Sequence, residues 1–193
     1  MSNVLISGAQ VADWQKLVSE AEAELGVSLD EELESYLVFL LMRFHNQPEI
    51  AGSVMALEYL DGLQQTGRIR QEQMRSVGDQ CLLYSGLFPQ YARKRRVTVS
   101  YYVDLGRSAY RNLAEDEQFN LSTMFAKLAI HFIALMDTLQ ALRSLSMDRP
   151  LLDPLTATEL WQSTGSCHAR SLLKCATEGE VVIQTPINQA RKH

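Results

Sequence analysis

Three cysteines, Cys81, Cys167 and Cys175, are too few and too odd in number to staple a chain of 193 residues. They cannot all pair within one chain, so the sequence implies reduced thiols and a cytoplasmic setting. Proline (5) and glycine (10) are scarce, and the apolar residues lean towards Leu, Ala and Met. That balance disfavours a sandwich or barrel and favours helices. Long apolar runs are missing too. The richest, YLVFLLMRF and LAIHFIALM, fall short of the ~20 residues that cross a bilayer. The start, MSNVLISGAQ, has no charged region and too short an apolar stretch for a signal peptide.

Chemistry-bearing motifs are absent as well. There is no Cys-x-x-Cys, Glu-x-x-His or His-x-x-x-His, and the histidines (His45, His131, His168, His193) are scattered. The pattern therefore implies neither a bound metal nor a haem. No glycine-rich phosphate loop and no Asp-rich isoprenoid-synthase motif occurs, so no cofactor is implied. Cys167 and His168 are neighbours, and adjacent helix positions point about 100° apart, which argues against a thiolate–imidazole pair. No catalytic residue emerges from this inventory.

What remains is an ordinary globular composition, 46% hydrophobic. A chain of this size buries roughly 70% of its unfolded surface, enough for one full core. We expect a single helical domain over residues 1–193, with 178–193 a flexible C-terminal tail. Apolar residues at helical spacing predict a first helix over 10–25, closed by Gly26. Ser28 and Glu31 fit a capping box for a second helix whose stripe runs Leu29, Leu33, Tyr36, Leu37, Leu40, Leu41, Phe44. Further helices are expected over 50–65, 70–86, from Pro89 to Arg95, and from a Thr98 or Ser100 cap through Leu113. Gly106 inside the last of these suggests close approach of a neighbour, since mid-helix glycine otherwise costs about 1 kcal/mol. The longest helix is expected over 118–146, apolar all round at its centre and so buried centrally. Asp153-Pro154 caps a final helix through Cys175. The predicted architecture is all-α: a compact bundle of seven or eight helices around a long central helix at 118–146.

Charge is segregated. Residues 1–67 carry 2 basic and 11 acidic side chains; residues 68–111 carry 9 basic and 3 acidic. Arg93, Lys94, Arg95 and Arg96 end one helix, and Arg107 and Arg111 share a face of the next. Together they form a candidate basic corner for an anion or a partner. The whole chain has pI ≈ 5.4, which disfavours nucleic acid as that partner. The dull alternative is that the acidic N-terminal block fills the corner. His131, Asp79, Tyr102 and Tyr110 are the polar groups that would line an inter-helix pocket, His131 being the one polar residue in LAIHFIALM.

One stretch, VGDQCLLYSGLFPQYARKRRVTVSYYVDLGRSAYRNLA, resembles a family of bacterial all-helical proteins with no assigned activity. The likeness rests on Gly78-Asp79, Gly86-Leu87-Phe88-Pro89, Tyr101-Tyr102, Leu105-Gly106 and Ala109-Tyr110, and covers residues 77–114. It implies a helical fold and a bacterial cytoplasmic origin, and carries no catalytic residues. The expected function is a non-enzymatic helical regulator or adaptor acting through protein contacts, with a partner or with itself. The alternatives are a small-ligand binder or enzyme with an inter-helix pocket near His131, and an anion or nucleic-acid binder through the Arg93–Arg111 corner.

Overall fold

The computed structural model describes residues 8–46, 55–116, 120–147 and 150–177. Among them are ten helices and no strand: α1 (Gly8–Leu25), α2 (Glu31–Asn46), α3 (Met55–Gln64), α4 (Gly67–Leu87), α5 (Gln90–Lys94), α6 (Val99–Ala114), α7 (Ser122–Ile130), α8 (Phe132–Leu145), α9 (Pro154–Thr164) and α10 (Cys167–Thr177). The all-α bundle expected from composition is observed. The start of the helix expected over 50–65, part of 118–121 and the tail 178–193 lie outside the described residues.

Local signals account for most boundaries. Gly26 takes φ +65 and ends α1. Thr98 caps α6, its hydroxyl accepting from the Tyr101 amide at 3.2 Å. Asp153 caps α9 through the Thr156 amide at 3.1 Å and the Thr156 hydroxyl at 2.7 Å. The capping box at Ser28 does not form. The Asp30 carboxylate takes the Leu33 amide instead, at 2.8 Å, and α2 starts two residues later than that box implied. A charged acceptor at the helix start outcompetes a hydroxyl.

The centre of the bundle is the second half of α4. All eleven residues from Val77 to Leu87 are buried, because α3, α6 and α8 pack around them. Two glycines let these helices close in. A Cβ on Gly78 would lie 2.3 Å from the Tyr110 ring of α6, and one on Gly86 2.5 Å from Leu139 of α8. Gly106 of α6 does the same for Phe132, 2.5 Å from its would-be Cβ, as its mid-helix position suggested. α1 covers α8, α2 lies on α1 and α7, and α9 pairs with α10 against α6 and α8.

The long helix over 118–146 is not one helix. α7 and α8 meet at His131 with a bend of 67°. The bend strips the Ala129 carbonyl of its partner one turn ahead, and Arg107 donates its Nε to it at 3.2 Å. Apolar periodicity runs across the joint because each half buries its own face, so the pattern does not register the bend. Similarly, the helix expected from Asp153 to Cys175 breaks at Gly165, φ +76, into α9 and α10. Among the described residues no single helix is long and apolar enough to cross a membrane.

Candidate functional site

The most elaborate polar arrangement surrounds Asp79, fully buried in the middle of α4. A lone carboxylate there would be untenable, and four donors from three helices converge on it. Tyr36 of α2 donates to Oδ1 at 2.5 Å, and Tyr110 of α6 donates to the same oxygen at 2.8 Å. Arg43 of α2 pairs with Oδ2, and Arg75, one turn back on α4, lies 3.7 Å from it. The Arg75 guanidinium also covers the Tyr36 ring, 5.7 Å from its centroid. Burial, then the adjacent Asp79 charge, push both tyrosine hydroxyls well above their ordinary value, so both stay protonated donors. The network therefore ties α2, α4 and α6 together.

The sequence expectation of a pocket joining His131, Asp79, Tyr102 and Tyr110 is corrected. Asp79 and Tyr110 do bond, but inside this closed network. Tyr102 belongs elsewhere, stacked on Tyr84 with centroids 5.4 Å apart. His131 is exposed, at the outside of the α7–α8 bend. Residues apolar on both sides made it look interior; the bend turns it out.

The basic corner is corrected likewise. Along α6, Arg107 lies about 12 Å beyond Val99 at 1.5 Å per residue. It serves the end of α7, and Arg111, one turn further on, is exposed. The six cations thus do not gather. Of the α5 group, Lys94 sits over the Tyr91 ring at 5.0 Å and Arg95 over Tyr84 at 5.4 Å. Arg96 takes φ 58, unusual outside glycine. The Val97 amide bonds the Ala92 carbonyl and the Arg96 amide the Arg93 carbonyl, which is the Schellman closure of α5. Among the described residues, no acidic side chain of the N-terminal block pairs with this corner. Asp30 and Glu32 of that block pair with Lys127 of α7, at 3.1 and 2.6 Å, beside an open groove between α2 and α7.

What does face the corner is α9. A cleft of about 480 Å³ opens between the α5–α6 turn and the start of α9. Gln90, Arg93, Thr98, Asp153, Thr156 and Glu159 supply its polar lining, and Val97, Val99 and Leu155 much of the apolar remainder.

A second buried carboxylate, Asp137 of α8, caps α10. It accepts from the Ser166 hydroxyl at 2.5 Å and from the amides of Cys167 and His168 at 2.8 and 3.4 Å. This satisfies the helix start that the break at Gly165 created. Burial pushes the carboxyl up to about 6 against those hydrogen bonds, and burial holds the His168 imidazole down at about 4. Cys167 is exposed while His168 is buried, so the adjacent pair does point apart. Cys81 lies in the core, where burial pushes its thiol far up. Among the described residues no three His, Cys, Asp or Glu side chains converge as metal ligands.

No family model, curated protein or solved structure matches the chain. Within residues 77–114, Gly78, Gly86 and Gly106 let α4, α6 and α8 close, and Asp79 and Tyr110 build the buried network.

A third feature is an apolar face left uncovered among the described residues. On α3, Leu57, Leu60 and Leu63 are 59, 54 and 41% exposed, and Ile69 at the start of α4 is 59% exposed. At 100° per residue the three leucines span an arc of about 120°. The opposite side of α3, with Gly62 against Met74, packs on α4.

Proposed function

We propose that the chain is a non-enzymatic helical module that works through protein contacts, and that it first contacts a second copy of itself. The observation that carries this reading is the exposed apolar arc Leu57–Leu60–Leu63, with Ile69 exposed as well at the start of α4. A grouped apolar patch rimmed by polar residues is the usual mark of an interaction surface. Both signs lie close by: Asp61 stands just beyond the Leu57 edge of the arc, and Arg68, exposed at the start of α4, pairs among the described residues only with Glu72 on its own helix. A surface with both signs complements its own image across a two-fold axis. The two buried carboxylates, Asp79 and Asp137, are taken up in holding helices together, which leaves the surface as the working part.

Sedimentation or light scattering tests this directly. The wild type is expected to form a dimer that dissociates on dilution. Leu57→Glu with Leu60→Glu is expected to leave a monomer with unchanged helical circular dichroism. Asp61→Arg and Arg68→Asp each weaken the dimer, and the double reversal restores part of it. A wild type that stays monomeric at high micromolar concentration defeats the proposal.

A further inference from the structure

The cleft between the α5–α6 turn and α9 carries charges of both signs that the protein leaves open. Among the described residues the Arg93 guanidinium, which borders the cleft, makes no hydrogen bond or salt bridge; after the Thr156 hydrogen bonds, its charge helps to hold the Asp153 carboxyl below its ordinary value. Asp153, which also borders it, is consumed: both of its oxygens are taken by Thr156 in the α9 cap. Glu159 is consumed by half. Ser100 and Ser163 both donate to its Oε1, the latter at 3.2 Å, and Oε2 receives no donor among the described residues. One cation and one carboxylate oxygen are therefore available in the same cavity, without an ion pair between them.

The walls supply the rest of the chemistry. Val97 is half-buried, Val99 is buried, and Leu155 is 81% exposed where α9 begins. An isoleucine-sized apolar group seated against them removes surface that water otherwise covers, at about 25 cal/mol per Å². A volume of about 480 Å³ is within the range of small-ligand sites. A plain anion suits Arg93 and meets Glu159 and Asp153 as repulsion. A plain cation suits Glu159 and meets Arg93. A ligand with both charges meets neither penalty.

From this juxtaposition we infer that the cleft binds a small apolar zwitterion, an amino acid or dipeptide. Its carboxylate sits on Arg93, its ammonium on Glu159, and its side chain between Val97 and Leu155. The guanidinium fork takes a carboxylate through two parallel hydrogen bonds, and the ammonium has the unoccupied Oε2 as acceptor. This site is separate from the α3 surface, so the two stand or fall independently.

Isothermal titration with L-leucine, L-phenylalanine and Leu-Leu tests it on the full chain. N-acetyl-leucine and leucinamide, each lacking one charge, are the controls. At least one zwitterion is expected to bind, and the matching controls to bind at least about tenfold more weakly, equivalent to about 1.4 kcal/mol. Arg93→Gln and Glu159→Gln are each expected to weaken the zwitterion by a similar factor, with helical circular dichroism unchanged. Arg93→Lys is expected to recover part of the loss. The assignment is overturned if no probe binds, if either control binds as well as its parent, or if Arg93→Gln leaves binding intact.

Discussion

Replacing Asp79 by asparagine removes the acceptor on which four donors converge. The amide keeps one accepting oxygen and puts an NH2 group where Oδ2 received Arg43 and Arg75. Donors then face donors, and two cations lose their counter-charge. Removing one partner of a buried ion pair costs about 3–5 kcal/mol. Here the arginine side chains are 36 and 44% exposed, so water takes over part of their solvation. The expected loss lies at the lower end, about 3 kcal/mol. In a chain of this length that lowers Tm by roughly 6–12 °C. Urea unfolding followed by tryptophan fluorescence (Trp14 and Trp161) and by circular dichroism measures it, the coincidence of the two probes checking two-state behaviour. Tyr36→Phe alone should cost about 1.5 kcal/mol, the low end for a hydrogen bond to a charged group, since Tyr110 still serves Oδ1. The double variant should lose less than the sum of the two. A loss under about 1 kcal/mol for Asp79→Asn would refute the reasoning, as would additivity within about 0.5 kcal/mol, which means that hydroxyl and carboxylate do not interact.

Two further variants probe the packing and the α10 cap. Gly106→Ala should lower stability by about 1–3 kcal/mol despite alanine's better helix propensity. The new Cβ would lie 2.5 Å from the Phe132 ring and 2.8 Å from the Cys81 Cβ, and a rise in Tm would contradict this. Asp137→Asn should change the pH dependence. The folded carboxyl stands at about 6, above its ordinary 3.8, so its stabilisation is complete below 3.8 and lost as pH rises through about 6. Between pH 4 and 7 the balance should swing towards the variant by up to about 3 kcal/mol, and a difference constant over that range would show that the carboxyl titrates normally.

The helices were legible in the sequence where their cause is local. The stop at Gly26, the caps at Thr98 and Asp153 and the close approach at Gly106 each follow from groups a turn or so apart, or from the steric freedom of one residue. That one face of α3 is exposed was not legible, for a related reason. Periodicity locates an apolar stripe but does not say whether another helix of the same chain covers it. The aspartate that follows Gly78 in GDQCLLYSG was the available sign of the buried network, since a helix buried all round tolerates a carboxylate only among donors.

By itself, the sequence determined that this chain is helical, roughly where most of its helices start and stop, and that Gly106 admits a neighbour. Those are short-range matters of spacing, capping and backbone sterics. Only the tertiary structure decided that α4 is the central element, that His131 faces outwards, and that Tyr36, Arg43, Asp79 and Tyr110 meet. Asp79 lies 43, 36 and 31 residues from its partners Tyr36, Arg43 and Tyr110. Nothing in local spacing joins such groups. Side chains reaching from α2 and α6 to Asp79 bring charged and polar groups together, while the length of α6 keeps the basic corner apart.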